Sequence, residues 1–381
     1  MEQNKRSNGD IKVQESRNYL KRKHKGSPSS VSSSISNLTD VTSKAYTPSK
    51  ITNERKSVDR PTITSYELQE KLGQGSYGEV FKARNKESND LVALKRMSIG
   101  DEGKGIHLST IREINILKQL NHKNIIPLRD VVVDPENRNI YIVLPYMEHD
   151  LAGLLHNPNV KLTAQDIKTY LKQLLEATAH MHESGILHRD IKASNILINN
   201  DGILQIADFG LARDMDNGNE EYTKSVVTRW YRPPELILGE GRYTSAIDMW
   251  GVGCVFGELI KSRAILQGQD DLDQLKKIFN LCGSPNQKNM PNWHKLPDAR
   301  KTRFKKTVRR VRRDYSSFDP LAADLLDKLL VLDPKKRLTA LEALDHNYFS
   351  SSPLPTDPAN LPKYEASHNY DRHRNKKPRH D

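Results

Sequence analysis

The strongest restriction on the fold is a change of residue pattern near Glu148. Between Tyr66 and Tyr146, short β-rich runs alternate with polar turns and include one helical insert. Beyond Glu148, apolar residues recur at the three- and four-residue spacing of helices. We therefore predict an α+β fold with a small β-rich lobe, residues 66–147, and a larger helical lobe, residues 148–349. A cleft between two such lobes is a usual place for a ligand.

The two ends of the 381-residue chain differ from its middle. Residues 1–60 are rich in serine and carry 13 basic and 6 acidic side chains, so we predict a disordered basic tail. Residues 350–381 are predicted to form a second polar, basic tail. Basic clusters at 21–25 and 372–379 are candidate nuclear import signals, with solvated charge as the plainer interpretation. Because the net charge of +12 lies mostly in these ends, we do not expect a dedicated nucleic-acid-binding domain.

The apolar runs of this chain are short. The longest, residues 246–260, is interrupted by Asp248 and Glu258, and the first residues do not form an apolar secretory segment. We therefore expect neither a membrane protein nor a secreted one. The two cysteines, Cys254 and Cys282, are too few for a disulfide framework or a zinc cluster, so we expect a reducing compartment.

A glycine-rich run follows the first predicted strand. Gly73, Gly75, Gly78 and Val80 fit the pattern G-x-G-x-x-G-x-V, in which the glycine backbone can approach phosphate oxygens closely. Alone this signal is weak, because glycines at such spacing also occur in ordinary turns. Strand-like sequence continues past Val80, which indicates a hairpin over phosphates and not the strand-to-helix turn of dinucleotide-binding proteins.

Lys95 and Glu113 are candidates for a buried ion pair. Lys95 ends an apolar strand-like run, where a lone lysine is most simply an exposed strand end. Glu113, however, shares the apolar face of a predicted helix with Ile116 and Leu117. A carboxylate on such a face needs a partner, because an unpaired buried charge is costly. We predict that the pair holds the Lys95 ammonium group ready for α- and β-phosphates.

Thr163 and Asp166 form a capping-box-like start of a predicted long helix. Two acidic motifs that follow this helix carry the chemistry of phosphoryl transfer. A His-Arg-Asp motif ends at Asp190, and an Asp-Phe-Gly tripeptide begins 18 residues later at Asp208. Asp190 is the candidate acceptor of a substrate hydroxyl proton, and Lys192 is a cation for the γ-phosphate. Asn195 and Asp208 are candidate metal ligands. We expect magnesium, because these ligands are hard oxygens.

The order of these motifs from 66 to 349, about three-quarters of the chain, resembles that of a eukaryotic protein kinase. The resemblance implies the two-lobed protein kinase fold, with ATP and Mg²⁺ as cofactors. Lys192 in the catalytic loop resembles the serine/threonine subclass. The resemblance implies that Glu235 pairs with Arg337. It also implies that Asp248 braces the catalytic loop, residues 188–195.

The resemblance also assigns roles around the nucleotide. Pro145 offers only a carbonyl, so Met147 supplies the backbone N–H for adenine, and Asp150 faces the ribose. Ser76 and Tyr77 match inhibitory phosphorylation sites of related kinases, but we do not expect their use here. The implied nucleotide-binding residues are Gly73, Gly75, Gly78, Val80, Ala93, Lys95, Pro145, Met147 and Asp150. The implied catalytic residues are Lys95, Glu113, Asp190, Lys192 and Thr228, with Asn195 and Asp208 as metal ligands.

The segment 107–113 and the segment 222–232, the activation segment, resemble those of cyclin-dependent kinases, which implies a cyclin partner. Thr223 is then the activating phosphosite, a target of a separate activating kinase. Arginines can bind its phosphate dianion and order the loop. The implied phosphate-binding residues are Arg112, Arg189 and Arg213.

The same family pattern implies a preference for proline after the target residue. Arg232 would turn the carbonyl of Val227 away, so that an amide N–H in the substrate would go unpaired. Proline has no N–H, which favours Ser-Pro and Thr-Pro sites.

Short stretches at 148–155, 281–285 and 327–334 resemble the transcription-elongation cyclin-dependent kinases. The stretches 144–147, 155–158 and 361–368 resemble the fungal bypass-UAS-requirement kinase, the counterpart of the positive transcription elongation factor b catalytic subunit. This resemblance implies a nuclear kinase that acts on the C-terminal repeats of RNA polymerase II and on elongation factors.

Other interpretations remain open at this point. The chain resembles, less closely, the polymerase C-terminal-domain kinase subgroup and the cell-cycle kinases. A pseudokinase scaffold or a basic chromatin-binding module is a non-enzyme alternative, although every expected catalytic position is filled. For the chain without a cyclin, we expect an inactive form in which the helix of Glu113 is displaced.

The run 301–313 holds eight basic side chains. The plainer interpretation is a solvated surface. The functional interpretation is a docking site for an acidic partner, a phosphorylated substrate or RNA. Because only Phe304 and Tyr315 supply aromatic rings nearby, single-stranded nucleic acid is not favoured.

Overall fold

The computed structural model shows a small lobe built on one antiparallel sheet. The residues that it describes are 61–75, 78–97, 106–134, 136–215, 222–223 and 226–367. The sheet strands are β1 (Tyr66–Gly75), β2 (Gly78–Asn85), β3 (Leu91–Met97), β4 (Asp130–Asp134) and β5 (Asn139–Pro145). Their order across the sheet is β1-β2-β3-β5-β4, so β3 lies in the middle and its residues pair with strands on both sides.

One helix, α1 (Leu108–Gln119), comes between β3 and β4 in the chain. Its Ile116 and Leu117 are buried in the main apolar core, and the helix contacts the turn 209–211 of the large lobe. The expectation that this helix is displaced in the chain alone is wrong, because Glu113 contacts Lys95. Displacement would expose two apolar side chains and leave a buried carboxylate without its cation, which explains why the helix stays docked.

The large lobe is mainly helical, which confirms the predicted α+β architecture. The long helix α3 begins at a capping box formed by Thr163 and Asp166, as the sequence predicts. The helices of this lobe are α2 (Leu151–His156), α3 (Ala164–Glu183), α4 (Pro234–Ile237), α5 (Ala246–Lys261), α6 (Asp271–Cys282), α7 (Val311–Tyr315), α8 (Pro320–Leu329) and α9 (Ala340–Leu344). Its short strands are β6 (His149–Asp150), β7 (Ile186–Leu187), β8 (Ile196–Ile198), β9 (Leu204–Ile206) and β10 (Arg213–Asp214).

Helix α5, the longest apolar run of the sequence, lies at the centre of the large lobe. It packs against α3 and α8 and buries both Trp250 and Phe256 completely. Cys254 and Cys282 are both buried and free. None of the helices in the described ranges is long and apolar enough to cross a bilayer.

The segment after α9 packs along the large lobe as far as residue 367, and is not the solvated tail that its polar composition predicts. The buried Lys168 donates from Nζ to the backbone oxygens of Ser351, at 3.0 Å, and of Pro353, at 2.7 Å. Farther on, Leu361 is buried, and the backbone N–H of Ser367 donates to the oxygen of Glu148. Here backbone carbonyls, which carry no sequence signal, satisfy a buried ammonium group.

Several predictions concern residues that the structure does not describe. These are the disordered tail 1–60 with its basic cluster, the cluster 372–379, and the phosphorylation sites Ser76 and Tyr77.

Candidate active site

Three charged side chains meet at the junction of the two lobes. Lys95 lies on β3, where it pairs in register with Val80 of β2 and Ile142 of β5. Its Nζ donates to Glu113 Oε1 at 2.7 Å and to Asp208 Oδ1 at 2.7 Å. The predicted Lys95–Glu113 ion pair is therefore present, and Asp208 completes a cluster that joins a strand, a helix and a large-lobe loop.

The pKa values of these groups follow from burial and from their mutual attraction. Burial alone would lower the pKa of Lys95, but the carboxylates of Glu113 and Asp208 together raise it to about 12. Burial raises the pKa of Glu113, and Lys95 opposes this effect only in part. Burial also acts against ionisation of Asp208, but the Lys95 ammonium outweighs it and lowers the pKa of this carboxyl. Asp208 is therefore held as a carboxylate, as a metal ligand must be.

Asp190 lies at the centre of a second cluster. Its Oδ2 accepts from Lys192 Nζ at 2.6 Å, and its Oδ1 accepts from the backbone N–H and the hydroxyl of Thr228 at 3.0 and 2.8 Å. Lys192 also donates to the Thr228 hydroxyl, and Asn195 donates to the Asp190 carboxylate. The structure thus brings three other predicted site residues, Lys192, Asn195 and Thr228, around the Asp190 carboxylate.

The loop that carries Asp190 is fixed by hydrogen bonds to the Asp248 side chain of α5. Asp248 accepts from the backbone N–H groups of His188 and Arg189, at 2.9 and 2.8 Å, as the resemblance predicts. Its third partner is His182 Nε2 on α3, at 3.0 Å. Arg189 has a φ of 65° and Asp208 a φ of 66°, so the backbone is in the left-handed region at both acidic motifs. Such conformations persist only where the surroundings enforce them.

The predicted nucleotide-binding residues lie on the glycine-rich hairpin β1–β2, on β3, and on the segment 145–150 that joins the two lobes. Gly78 is required by packing, because a Cβ there would lie 1.8 Å from the oxygen of Arg96, whereas Gly73 has open space around it. Ala93 and Met147 are buried. Asp150 caps α2, because its Oδ1 accepts from the backbone N–H of Gly153 at 2.8 Å. One carboxylate oxygen of this predicted ribose-binding residue therefore already has a hydrogen bond.

The activation segment is described only in part. Thr223 is exposed, and its backbone oxygen accepts from the Tyr243 hydroxyl at 3.1 Å. Tyr243 in turn accepts from Arg189, one of the predicted phosphate-binding arginines, at 3.0 Å. The structure places Arg112 on α1 and Arg213 on β10. Thr223 is therefore linked to Arg189 through Tyr243, a residue that the sequence did not single out.

The predicted proline pocket has the expected backbone geometry. Val227 has a φ of 68°, and its oxygen accepts from Nε and Nη2 of Arg232 at 3.1 and 2.9 Å. Arg232 also contacts Asp271 of α6 at 3.3 Å, as does Arg229 at 3.2 Å. Asp271 was missed in the sequence because an aspartate at the start of a helix is common.

The structural ion pair predicted between Glu235 and Arg337 is also present. Two guanidinium nitrogens contact the two carboxylate oxygens at 2.9 and 3.1 Å, and both residues are buried. This pair fixes the end of the activation segment to the base of the large lobe.

The residues present fit a magnesium ion completed by phosphates. Asn195 donates both of its amide hydrogen bonds to Asp190, which leaves Oδ1 for a cation, and Asp208 supplies a second hard oxygen. Within the described residues, no group of three His, Cys, Asp or Glu side chains could hold a metal. A metal here therefore needs oxygen ligands from the nucleotide or from water.

A family model described as Protein kinase domain matches residues 66–349. The chain belongs to the protein kinase family. A solved structure, the CAK complex from Chaetomium thermophilum bound to ATP-gamma-S, matches with a TM-score of 0.73 and 36% identity. The match covers 79% of this kinase and 96% of that chain. The predicted two-lobed kinase fold is confirmed.

Curated relatives include kinases named as cyclin-dependent, the family that the sequence motifs predict. This kinase is 49% identical to a probable cyclin-dependent kinase 9 of Schizosaccharomyces pombe, with 83% of the chain and 57% of the relative covered. It is 45% identical to the serine/threonine-protein kinase bur1 of Neurospora crassa, with 81% and 59% covered. For cyclin-dependent kinase C-1 of Oryza sativa the identity is 44%, with 81% and 63% covered. The chain spans less than two thirds of the length of these relatives.

Proposed function

We propose that this chain is a cyclin-dependent, proline-directed serine/threonine protein kinase that transfers the γ-phosphate of ATP to Ser-Pro and Thr-Pro sites. The observation that carries the proposal is the environment of the Asp190 carboxylate. One of its oxygens accepts a hydrogen bond from Lys192, and the other accepts one from the Thr228 hydroxyl. The cluster of Lys95, Glu113 and Asp208 supports it, because a pseudokinase scaffold has no need of an assembled phosphate site. A kinase relative bound to ATP-gamma-S further supports ATP as the phosphate donor.

In the proposed reaction, Asp190 receives the proton of the substrate hydroxyl as the hydroxyl oxygen forms a bond to the γ-phosphorus. The bond from this phosphorus to the β–γ bridging oxygen breaks, and ADP leaves with the electron pair. Lys192 holds positive charge beside Asp190 throughout, and Lys95 is positioned for the α- and β-phosphates. Asn195 and Asp208 would hold Mg²⁺, which neutralises phosphate charge when bound.

The cyclin partner is supported by exposed apolar side chains at the start of α1. Ile106, Leu108 and Ile111, which lie close together in the sequence, are large apolar side chains exposed to solvent. Apolar surface of this kind is typical of protein interfaces. α1 carries Glu113, so a partner that binds this helix also acts on the Lys95 pair.

The proposed substrates are the C-terminal repeats of RNA polymerase II and elongation factors, and the proposed compartment is the nucleus. Support comes from relatives named cyclin-dependent kinase 9 and bur1 and from the Val227–Arg232 geometry. An activating kinase that phosphorylates Thr223 is part of the same proposal. The polymerase C-terminal-domain kinase subgroup and the cell-cycle kinases are distinguished by the cyclin that co-purifies with the chain.

Peptide kinetics test the proline preference. Replacement of the substrate proline by alanine should lower kcat/KM by at least about tenfold, because the alanine N–H would be left without an acceptor. The measurement compares the two peptides with the cyclin-bound chain. Equal rates on both peptides would contradict the proposed specificity.

A second measurement separates the kinase from a scaffold. Asp190→Asn should reduce phosphoryl transfer by about 1,000-fold or more, since the amide cannot accept the hydroxyl proton, and should leave cyclin binding unchanged. Cellular function that survives this substitution would favour the scaffold interpretation.

A further inference from the structure

A groove on the large lobe is lined by none of the proposed catalytic or nucleotide-binding residues. It has a volume of about 230 Å³ and lies between α6 and the segment 301–304. Its lining residues include Leu272, Leu275, Lys276, Lys301, Arg303 and Phe304.

The floor of the groove is apolar and firmly packed. Leu275 is buried, and the ring of Phe304 packs on Phe279 and Trp293, with centroids 4.6 and 5.4 Å apart. Leu272, in contrast, leaves half of its surface exposed at the rim. The Phe304 ring is half-buried and lines the groove, so it offers apolar surface to a ligand.

The basic side chains of the run 301–313 differ in whether a carboxylate contacts them. Lys301 pairs with Asp298 at 2.7 Å, which leaves its charge partly compensated. The arginines of the second half of the run each contact at least one of three aspartates, Asp314, Asp324 and Asp327. Their charge is therefore partly compensated. These arginines are Arg309, Arg310, Arg312 and Arg313.

Cations without an ion pair remain at the groove. Arg303, Lys305 and Lys306 are exposed and form no ion pair with the residues that the structure describes, and the same holds for Lys276 on α6. Two of these cations, Lys276 on α6 and Arg303 on the segment 301–304, line the groove, and Lys276 also attracts Asp273, whose pKa it helps to lower. Basic and accessible apolar side chains therefore meet in this groove, which favours the docking interpretation of the run 301–313.

The groove is close to residues 226–232, the loop that we propose binds the substrate. Asp271, the first residue of α6, contacts Arg229 and Arg232 of that loop. Leu272 follows at once, and Lys276 lies five residues along the helix, about 8 Å from Asp271 at 1.5 Å per residue. A substrate held at Val227 and Arg232 therefore needs only a few more residues, at about 3.3 Å each, to reach the groove.

We propose that this groove is a docking site for an acidic segment of the protein substrate. Asp or Glu carboxylates of the segment contact Lys276 and Arg303, and one bulky apolar side chain between them packs on Leu272 and Phe304. Charge complementarity selects the segment, and the apolar contact gives it a fixed register. The proposal rests on the proposed kinase function, since it extends the substrate site to a second anchor.

Three peptides and the cyclin-bound full chain test this proposal. The first peptide is a short Ser-Pro substrate. The second carries the same site joined by a Gly-Ser linker to a segment with a leucine between acidic residues, and in the third lysines replace those acidic residues. The acidic peptide should show a KM about fivefold lower than that of the short peptide, with the same kcat. The reason is that docking stabilises the bound substrate and the transition state equally.

Charge reversal supplies the decisive comparison. In the double variant Lys276→Glu/Arg303→Glu, the acidic peptide should lose its advantage and the lysine peptide should gain one of similar size. The matched control Lys172→Glu/Lys335→Glu changes two exposed lysines elsewhere on the large lobe by the same charge, and it should behave like the unmodified chain.

Each outcome has a defined meaning. Equal KM values for the short and acidic peptides in the unmodified chain would overturn the docking proposal, as would an equal loss in the control variant. Stronger inhibition of the acidic-peptide reaction by single-stranded RNA than by the isolated acidic segment would assign the groove to RNA. No turnover of the short Ser-Pro peptide by any variant would overturn the proposed kinase function instead.

Discussion

At the scale of single residues, the active site depends on carboxyl groups with opposite pKa shifts. Burial raises the pKa of Glu113, whereas the Lys95 ammonium outweighs burial and lowers the pKa of Asp208. Both carboxylates contact the same ammonium group at 2.7 Å. On acidification, Glu113 therefore takes up a proton first, and Lys95 loses one of its two partners while Asp208 can still bind a metal.

This order predicts the acidic limb of the pH profile. As the pH falls, kcat/KM for ATP should decline at a higher pH than an ordinary glutamate would cause, because a raised pKa means earlier protonation. Glu113→Gln should lower kcat/KM by about 100-fold at neutral pH. The ratio of unmodified chain to variant, measured from pH 8 to pH 5, should fall as the pH falls. A ratio that stays constant over this range would contradict the assignment.

The residue scale also shows what a sequence can predict. The Lys95–Glu113 pair was predictable because a lone carboxylate on an apolar helix face requires a cation. Tyr243 and Asp271 were not, because an exposed-looking tyrosine and a helix-start aspartate have many ordinary uses. Their partners, Arg189 and Arg232, become neighbours only when the chain is folded.

At the scale of elements, α6 joins the proposed substrate loop to the rest of the large lobe. Its first residue, Asp271, contacts Arg229 and Arg232, and Gln274 donates to the oxygen of Trp230. The docked position of α1 is likewise a property of packing between elements. Its helical pattern was evident from the sequence, but its contact with the large lobe was not, because periodicity identifies a buried face and not the surface that covers it.

Asp271→Asn tests the contribution of α6 to substrate choice. The substitution should reduce the preference for Ser-Pro over Ser-Ala peptides by about fivefold, because Arg232 loses a charged partner that fixes its guanidinium. The ratio of kcat/KM for the two peptides is the measurement. Asp273→Asn, two residues along the same helix and without a contact to these arginines, is the control and should leave the ratio unchanged. A similar loss in both variants would indicate a general weakening of the helix.

At the scale of the whole molecule, residues 350–367 run along the large lobe from Lys168 of α3 to Glu148, next to β6. Lys168 holds the start of this segment, Thr169 donates to the oxygen of Thr356 at 2.7 Å, and Ser367 contacts Glu148. The polar composition of this stretch predicted a tail. The prediction failed because the interactions run through backbone oxygens and a few buried side chains such as Leu361.

A chain that ends at residue 349 should be less stable than one that ends at residue 367. Removal of the segment deletes the oxygen partners of the Lys168 ammonium and the buried Leu361 side chain, and the loss should lower the free energy of unfolding by about 3 kcal/mol. Denaturant unfolding of the two chains measures the difference. Lys168→Met should destabilise the longer chain more than the shorter one, because only the longer chain supplies the oxygen partners. Equal stability of the two truncated chains would contradict this account.

The path of residues 350–367 also has a practical consequence. The Ser367 hydroxyl lies 3.4 Å from Asp150, the proposed ribose-facing residue, and a Cβ at Gly153 would meet both residues within 3 Å. An affinity tag fused directly after Ser367 would thus start beside Asp150, at the proposed nucleotide site. Measurements of nucleotide affinity on tagged protein would then report on the tag as well as on the enzyme.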